Sequence, residues 1–211
     1  RIFLKSYVND YISETAAAGA TVIGFADGKV DLSVGAKATV TVTENATGKV
    51  VNKGVLNVAA GKTLDASADG AYTNTDGKIY LGANSELKYK DGASAGTFCA
   101  GKDAKINGNA IGEDAKKADI SSDDSAKLDE VLKGNVENVN VNANVNVSKD
   151  LVVPAGTTLT VNESNAIILE NGKNMTVAGG FSGKIVGKAQ TGGVDGTVII
   201  SGLSGYTLTA G

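Results

Sequence analysis

Residues 150–181 read DLVVPAGT, TLTVNESN, AIILENGK and NMTVAGGF, four consecutive blocks of eight residues. Each block carries two apolar residues two positions apart: Leu151/Val153, Leu159/Val161, Ile167/Leu169 and Met175/Val177. Residues at i and i+2 lie on one face of a β-strand, and the Pro, Gly and Asn between the pairs are typical of turns. Each block therefore predicts one short strand and one corner, and Ile185 is the next residue expected to point inward.

The first half of the chain repeats this spacing more loosely. Its apolar positions are Leu32/Val34, Val40/Val42, Val50, Leu56/Val58, Leu64/Ala66, Ile79/Leu81 and Leu87/Tyr89. Residues 58–64, VAAGKTL, also resemble residues 153–159, VPAGTTL. Two stretches with the same turn chemistry indicate one solenoid that is continued or duplicated.

These patterns predict an all-β fold, a parallel β-solenoid (β-helix) of eight-residue strand-turn units with one or two short capping helices. An all-helical fold is excluded because apolar residues do not recur at i, i+3, i+4 and i+7. A hairpin-based sandwich stays open, since Asp76-Gly77 and Asn171-Gly172 suit hairpin turns. If three faces make one turn of the solenoid, a turn takes about 24 residues and adjacent strands lie about 4.8 Å apart.

The strongest helix signal lies between the two β-rich stretches. Ser121 or Ser122 is placed to cap it, and Gly134 to end it. Its apolar face consists of Leu128, Val131 and Leu132. The polar residues 101–119 are the best linker candidate. We therefore expect three segments: an N-terminal capping or subunit-joining segment over 1–17, a first solenoid segment over 18–118, and a helix-capped second solenoid segment over 119–211.

Composition argues against most enzyme chemistry. The chain has no His, the commonest general base and metal ligand. Its single Cys cannot form an internal disulfide, and its only Arg is Arg1. Five of the 23 acidic residues, Asp27, Asp69, Asp76, Asp91 and Asp195, stand in Asp-Gly pairs, where a turn role suffices. The partial likeness of residues 192–196, GGVDG, to a calcium-binding nonapeptide is not repeated. We expect no catalytic residues, no cofactor and no metal.

The balance of charges also limits the partners. The net charge of −3 is spread without a basic cluster, so nucleic acid is not expected as a partner. No run of apolar residues is long enough for a transmembrane segment. Since the sequence opens at Arg1 rather than Met, we expect a processed product.

The first residues differ from the rest of the chain. Three of the ten aromatic residues fall within the first eleven positions. An apolar stripe at helical spacing runs through this segment, which predicts either a cap on the protein's own first turn or a contact with a neighbouring subunit. The candidate interface residues are Phe3, Leu4, Tyr7, Val8, Tyr11 and Ile12.

Residues 138–147, NVNVNANVNV, alternate valine and asparagine and predict one regular strand with an asparagine row on its outer side. Such a row suits either a solvated face or the binding of a regular surface such as ice or glycan. The solvated face is the simpler hypothesis.

From Ser121 onward, the capped helix, the Asn/Val alternation and the run DLVVPAGTTLTVNESNAIILENGKNMTVAGG resemble the β-helical repeats of secreted bacterial and archaeal adhesin-like surface proteins. The resemblance implies a secreted protein at the cell surface and a role in adhesion, surface coats or filaments, and it transfers no active site. We expect a subunit of a cell-surface filament or coat that polymerises with copies of itself head to tail. An adhesin fragment that binds host or glycan surfaces is the alternative, and a polysaccharide-active enzyme is a distant third.

Overall fold

The structure, a computed structural model, describes residues 20–23, 28–90, 96–170, 172–187 and 198–200. The chain divides into two compact units, unit 1 over Arg1–Ala115 and unit 2 over Lys116–Gly211. Each unit is built from short β-strands, almost all of them parallel to their neighbours. The three-segment division stays a prediction, because residues 1–17 lie outside the described residues.

Unit 1 contains twelve described strands: β1 (Ala20–Ile23), β2 (Lys29–Val34), β3 (Thr39–Val42), β4 (Ala46–Asn52), β5 (Val55–Val58), β6 (Thr63–Ala66), β7 (Tyr72–Asn74), β8 (Lys78–Leu81), β9 (Glu86–Tyr89), β10 (Thr97–Ala100), β11 (Lys105–Ile106) and β12 (Asn109–Ala110). Sheet A has the order β1-β3-β5-β8-β10, and sheet B the order β12-β11-β9-β6-β4-β2 with β7 beside β4. Among the described pairs, only β11 and β12 run antiparallel. A hairpin-based sandwich is therefore excluded for this unit.

Strand β4 bends where the chain turns a corner. Its first residues pair with β6 and its last residues pair with β7. Gly48 lies at the bend with φ +151°, and a Cβ there would overlap the carbonyl oxygen of Val30 on the neighbouring strand. Glycine is required at this position because the two backbones approach so closely.

The core of unit 1 consists of columns of like residues stacked along the sheets. One column of sheet A runs Val40, Leu56, Ile79, Phe98, and the next runs Val42, Val58, Leu81, Ala100. The predicted inward positions of the first half are all buried, apart from Tyr89, which is partly buried against this core. Tyr89 stacks between Tyr72 at 4.6 Å and Phe98 at 6.1 Å between ring centroids. These three aromatic rings therefore form part of the packed interior of unit 1.

Unit 2 contains ten described strands and one α-helix: β13 (Lys117–Ile120), α1 (Ser125–Lys133), β14 (Asn138–Val141), β15 (Val145–Val147), β16 (Leu151–Val153), β17 (Thr158–Val161), β18 (Ile167–Leu169), β19 (Met175–Val177), β20 (Gly180–Ser182), β21 (Ile185–Gly187) and β22 (Val198–Ile200). They form sheet C (β13-β14-β17-β20), sheet D (β15-β18-β21) and sheet E (β16-β19-β22). From β14 onward, successive strands visit the three sheets in rotation. Leu151 consequently pairs with Met175, 24 residues later, as three faces per turn require. The structure thus confirms the predicted parallel β-solenoid.

The eight-residue spacing fails after Val177. The pattern placed the next inward residue at Ile185, but strand β20 comes first and buries Phe181 in sheet C. Ile185 lies one strand later, in sheet D, where it pairs with Ile167 after only 18 residues. Two glycines, Gly179 and Gly180, allow this tighter corner, because a Cβ on Gly179 would overlap the backbone of Pro154 and Thr157.

Two further expectations are wrong in detail. The proposed linker over residues 101–119 is structured: it holds β11, β12, a 3-10 helix over Glu113–Lys116 and the start of β13. Short polar strands of this kind carry too few apolar residues for a sequence pattern to reveal them. The helix cap is Asp124, whose Oδ1 accepts a hydrogen bond from the Lys127 N–H at 2.9 Å, rather than Ser121 or Ser122.

Helix α1 covers the opening turn of unit 2. It buries Leu128, Val131 and Leu132, as predicted, and ends at Gly134. It contacts β13, β15 and β16, which are the first strands of sheets C, D and E. The helix therefore shields the open edge at which the solenoid begins.

Candidate functional surface

The predicted interface residues lie outside the described residues. These are Phe3, Leu4, Tyr7, Val8, Tyr11 and Ile12, all within the first nineteen positions of the chain. The structure therefore leaves their role as a prediction, and the candidate surfaces come from the two solenoid units themselves.

Many polar side chains join one turn of the solenoid to the next. At three corners, for example, the side-chain Oδ1 atom of a corner residue accepts a backbone hydrogen bond from the following turn: Thr63 to Asn45 (2.9 Å), Ala166 to Asn144 (2.9 Å) and Asn174 to Asp150 (2.8 Å). Donor and acceptor are 18, 22 and 24 residues apart, which is one turn in each case. Corner backbone groups that the sheets leave without a partner are satisfied in this way.

Asn52 and Asn74 form a buried asparagine ladder inside unit 1. They are 0% and 1% exposed and sit at adjacent inward positions of β4 and β7. Asn52 Nδ2 donates to Asn74 Oδ1 and to the Lys78 carbonyl, both at 3.1 Å, while its Oδ1 accepts the Gly54 N–H at 3.2 Å. Sequence reasoning missed this ladder. The available signal was an asparagine at an inward position closely followed by glycine, in VVNKG and YTNTDG.

The asparagine row of residues 138–147 is divided between two sheets. Residues 138–141 form β14 in sheet C and residues 145–147 form β15 in sheet D, so the prediction of one regular strand is wrong. Asn140 Nδ2 donates to Asp119 Oδ1 at 3.1 Å, and Asn146 Nδ2 donates to Asp123 Oδ2 at 2.7 Å. These asparagines join neighbouring turns and do not form a continuous recognition surface.

The pKa values of Asp65, Tyr72 and Asp123 are shifted by their local surroundings. Hydrogen bonds from the Ser67 hydroxyl and N–H lower the pKa of Asp65, and the backbone and side-chain N–H groups of Asn146 lower the pKa of Asp123. Burial raises the pKa of Tyr72. Within the described ranges there is no group of three or more metal-ligating side chains, and no helix is long and apolar enough to cross a membrane.

The outer face of sheet A is the most unusual surface in unit 1. The alternation of the strands places Thr41, Asn57, Tyr80 and Cys99 side by side on its outer side. Although they point away from the core, Tyr80 is only 1% exposed and Asn57 only 5% exposed. By contrast, the outward Thr47 and Lys49 on sheet B are exposed. We refer to these four residues as the sheet A outer surface.

Fold and surfaces together define a parallel β-solenoid protein. In comparisons with protein-family models, curated proteins and solved structures, nothing matches the chain. The likeness to adhesin-like surface proteins therefore rests on the repeat pattern alone.

Proposed function

We propose that this protein is a secreted structural protein that assembles with copies of itself into a cell-surface filament or coat. The observation that carries the proposal is that polar side chains join successive turns of the solenoid. Asn45, Asn144 and Asp150 each hydrogen-bond to the backbone of the next turn, and Asn52 binds Asn74 inside the core. Hydrogen bonds between successive turns resist their separation, which a structural filament or coat requires.

Head-to-tail assembly is the simplest way to extend such a body. When identical subunits join through two different surfaces, each added subunit leaves one surface free for the next. Such a contact produces a filament unless the rotation between subunits closes a ring. We assign one of the two surfaces to the apolar stripe of residues 1–17, with Tyr7 and Tyr11 as its largest side chains. Aromatic side chains bury large areas and commonly anchor interfaces.

Negative-stain electron microscopy of the purified 211-residue chain tests this proposal. We expect filaments or sheets from the unmodified chain and single particles from the variant Tyr7→Ser/Tyr11→Ser. The matched control is Asn9→Ser/Ser13→Ala, which changes polar positions of the same segment and should leave assembly intact. Single particles from the unmodified chain at all concentrations and salt conditions would refute assembly.

A glycan-binding adhesin is the second candidate. The outer side of sheet C presents exposed hydroxyl groups on Thr158, Thr160 and Ser182, and Thr160 and Ser182 are neighbours in register. A row of hydroxyl groups suits hydrogen bonding to sugars. Saturable binding of the single-particle form to a glycan array, lost in Thr158→Val/Thr160→Val, would favour this function. A polysaccharide-active enzyme ranks third, and polysaccharide turnover by the purified chain would be its evidence.

A further inference from the structure

A two-residue hairpin turn lies at the end of sheet B. Asn107 and Gly108 join β11 to β12, the antiparallel pair at the edge of that sheet. Their φ angles of +49° and +78° are those of a type I′ turn, which Asn-Gly favours because both central residues need a positive φ. The same dipeptide is chemically labile, since no Cβ on the glycine hinders attack of its nitrogen on the asparagine side-chain amide. The turn therefore combines favourable hairpin geometry with a reactive sequence.

The closed turn holds the two reacting atoms apart. To form a five-membered ring with the side chain, the Gly108 nitrogen must lie on the same side of the Cα–C bond of Asn107 as its Cβ. In a type I′ turn the ψ angle of the first central residue is about +30°, the mirror image of the type I value. This angle brings the Gly108 nitrogen close to the Asn107 nitrogen, and the Cβ then points nearly the opposite way. The ring cannot close while the turn is intact.

Two side-chain hydrogen bonds to β9 fix the turn in this unreactive state. The Tyr89 N–H donates to Asn107 Oδ1 at 2.9 Å, and the Gly108 N–H donates to Glu86 Oε1 at 2.8 Å. The Asn107 N–H also donates to the Leu87 carbonyl at 3.0 Å. The amide that would be attacked and the nitrogen that would attack it are thus each held by a different residue of the same strand. A hydrogen bond to a carboxylate is stronger than one between neutral groups, so the Glu86 contact contributes most.

We propose that Asn107 is a deamidation site controlled by the β11–β12 hairpin, stable while the hairpin is closed and reactive when it opens. In the open form the Gly108 nitrogen attacks Cγ of Asn107 and gives its proton to a solvent base. The N–Cγ bond forms, the Cγ–Nδ2 bond breaks, and the leaving nitrogen takes a proton from water and departs as ammonia. Water then opens the succinimide ring to an aspartate or an isoaspartate at position 107.

The position of the hairpin makes local opening easy and its consequence permanent. Strands β11 and β12 have two residues each, and Asn109 and Ala110 are exposed, so the hairpin can open without unfolding of the rest of unit 1. An isoaspartate adds one carbon to the backbone, which prevents the two-residue turn from closing again. This inference goes beyond the proposed function, because the chemistry requires only one chain and does not depend on assembly.

Peptide mapping by mass spectrometry of the purified 211-residue chain measures the reaction. Trypsin cleaves after Lys105 and Lys116, so Asn107 is recovered in a peptide separate from the other Asn-Gly pair, at positions 171–172. In mildly alkaline buffer, we expect Asn107 to deamidate about ten-fold or more slowly in the folded chain than in the chain unfolded in urea. Equal rates in the folded and unfolded chains would overturn the proposal.

Variants of Glu86 test the control by the hairpin. Glu86→Ala removes the acceptor of the Gly108 N–H and should raise the deamidation rate of the folded chain about ten-fold. Glu86→Gln keeps an acceptor oxygen, and Lys88→Ala changes an outward side chain of the same strand, so both should stay near the unmodified rate. An unchanged or lower rate in Glu86→Ala counts against the proposal.

Circular dichroism of each variant shows whether unit 1 remains folded under the conditions of the rate measurement. If Glu86→Ala is unfolded, Glu86→Gln takes its place in the test. A folded Glu86→Gln chain that deamidates at the unmodified rate supports the proposal. A lower rate in that variant would show that the Glu86 carboxylate promotes the reaction and would overturn the proposal.

Discussion

Replacing Asn52 by alanine removes the centre of the buried ladder in unit 1. The fully buried side chain makes three hydrogen bonds, to Asn74, to the Lys78 carbonyl and from the Gly54 N–H. At about 1 kcal/mol for each bond, plus a small cavity, the free energy of unfolding should fall by about 3–4 kcal/mol. With a urea m-value of about 2 kcal/mol/M, the unfolding midpoint should drop by about 1.5–2 M.

Near-ultraviolet circular dichroism is the suitable assay. The chain has no Trp, five of its six tyrosines lie in unit 1, and Tyr72 stacks on Tyr89 at 4.6 Å, so the tyrosine signal reports mainly unit 1. Lys49→Ala, an exposed outward change on the same strand, is the control and should change the free energy of unfolding by less than about 0.5 kcal/mol. A shift for Asn52→Ala no larger than the control would refute the claim that the ladder stabilises the unit.

Three further predictions follow from local geometry. Gly77→Ala should destabilise unit 1 by about 2 kcal/mol or more in urea unfolding, because its Cβ would lie 2.8 Å from the Asn52 carbonyl oxygen and even closer to the ladder side chains. Asp124→Ala should lower the free energy of unfolding of unit 2 by about 1 kcal/mol, whereas Ser122→Ala should have almost no effect; the reverse order would contradict the observed cap. Ser67→Ala should raise the pKa of Asp65 toward 3.8 in an NMR titration. Since that pKa is lowered by folding, its stabilisation is present above pH 3.8 and is lost as the pH falls through the folded value, so the variant should lose less stability on acidification.

The sequence predicted the solenoid because its core is periodic. Residues such as Leu151, Leu159 and Ile167 recur at a spacing set by one strand and one corner, and each is buried where the pattern placed it. The sequence also predicted the helix, since Leu128, Val131 and Leu132 match the 3.6-residue repeat. Both patterns depend only on residues close in sequence, so they can be recognised without knowing how neighbouring turns pack.

Apart from the helix cap, whose partner Lys127 is only three residues from Asp124, the main failures involve residues whose partners lie one turn away. Phe181 broke the spacing because paired glycines shortened a corner, and residues 138–147 were divided between two sheets although their alternation is perfect. The inward asparagines Asn52 and Asn74 looked like surface residues until the stacking of β4 and β7 brought them together.

The sequence by itself determined that short strands alternate with corners and that a capped helix precedes the second series. The tertiary structure decided which turn lies on which, and with it the asparagine ladder, the corner hydrogen bonds and the buried outer position of Tyr80. The physical reason is distance along the chain. Register between turns depends on contacts 16 to 24 residues apart, and each corner's length depends on backbone packing against the turn before it.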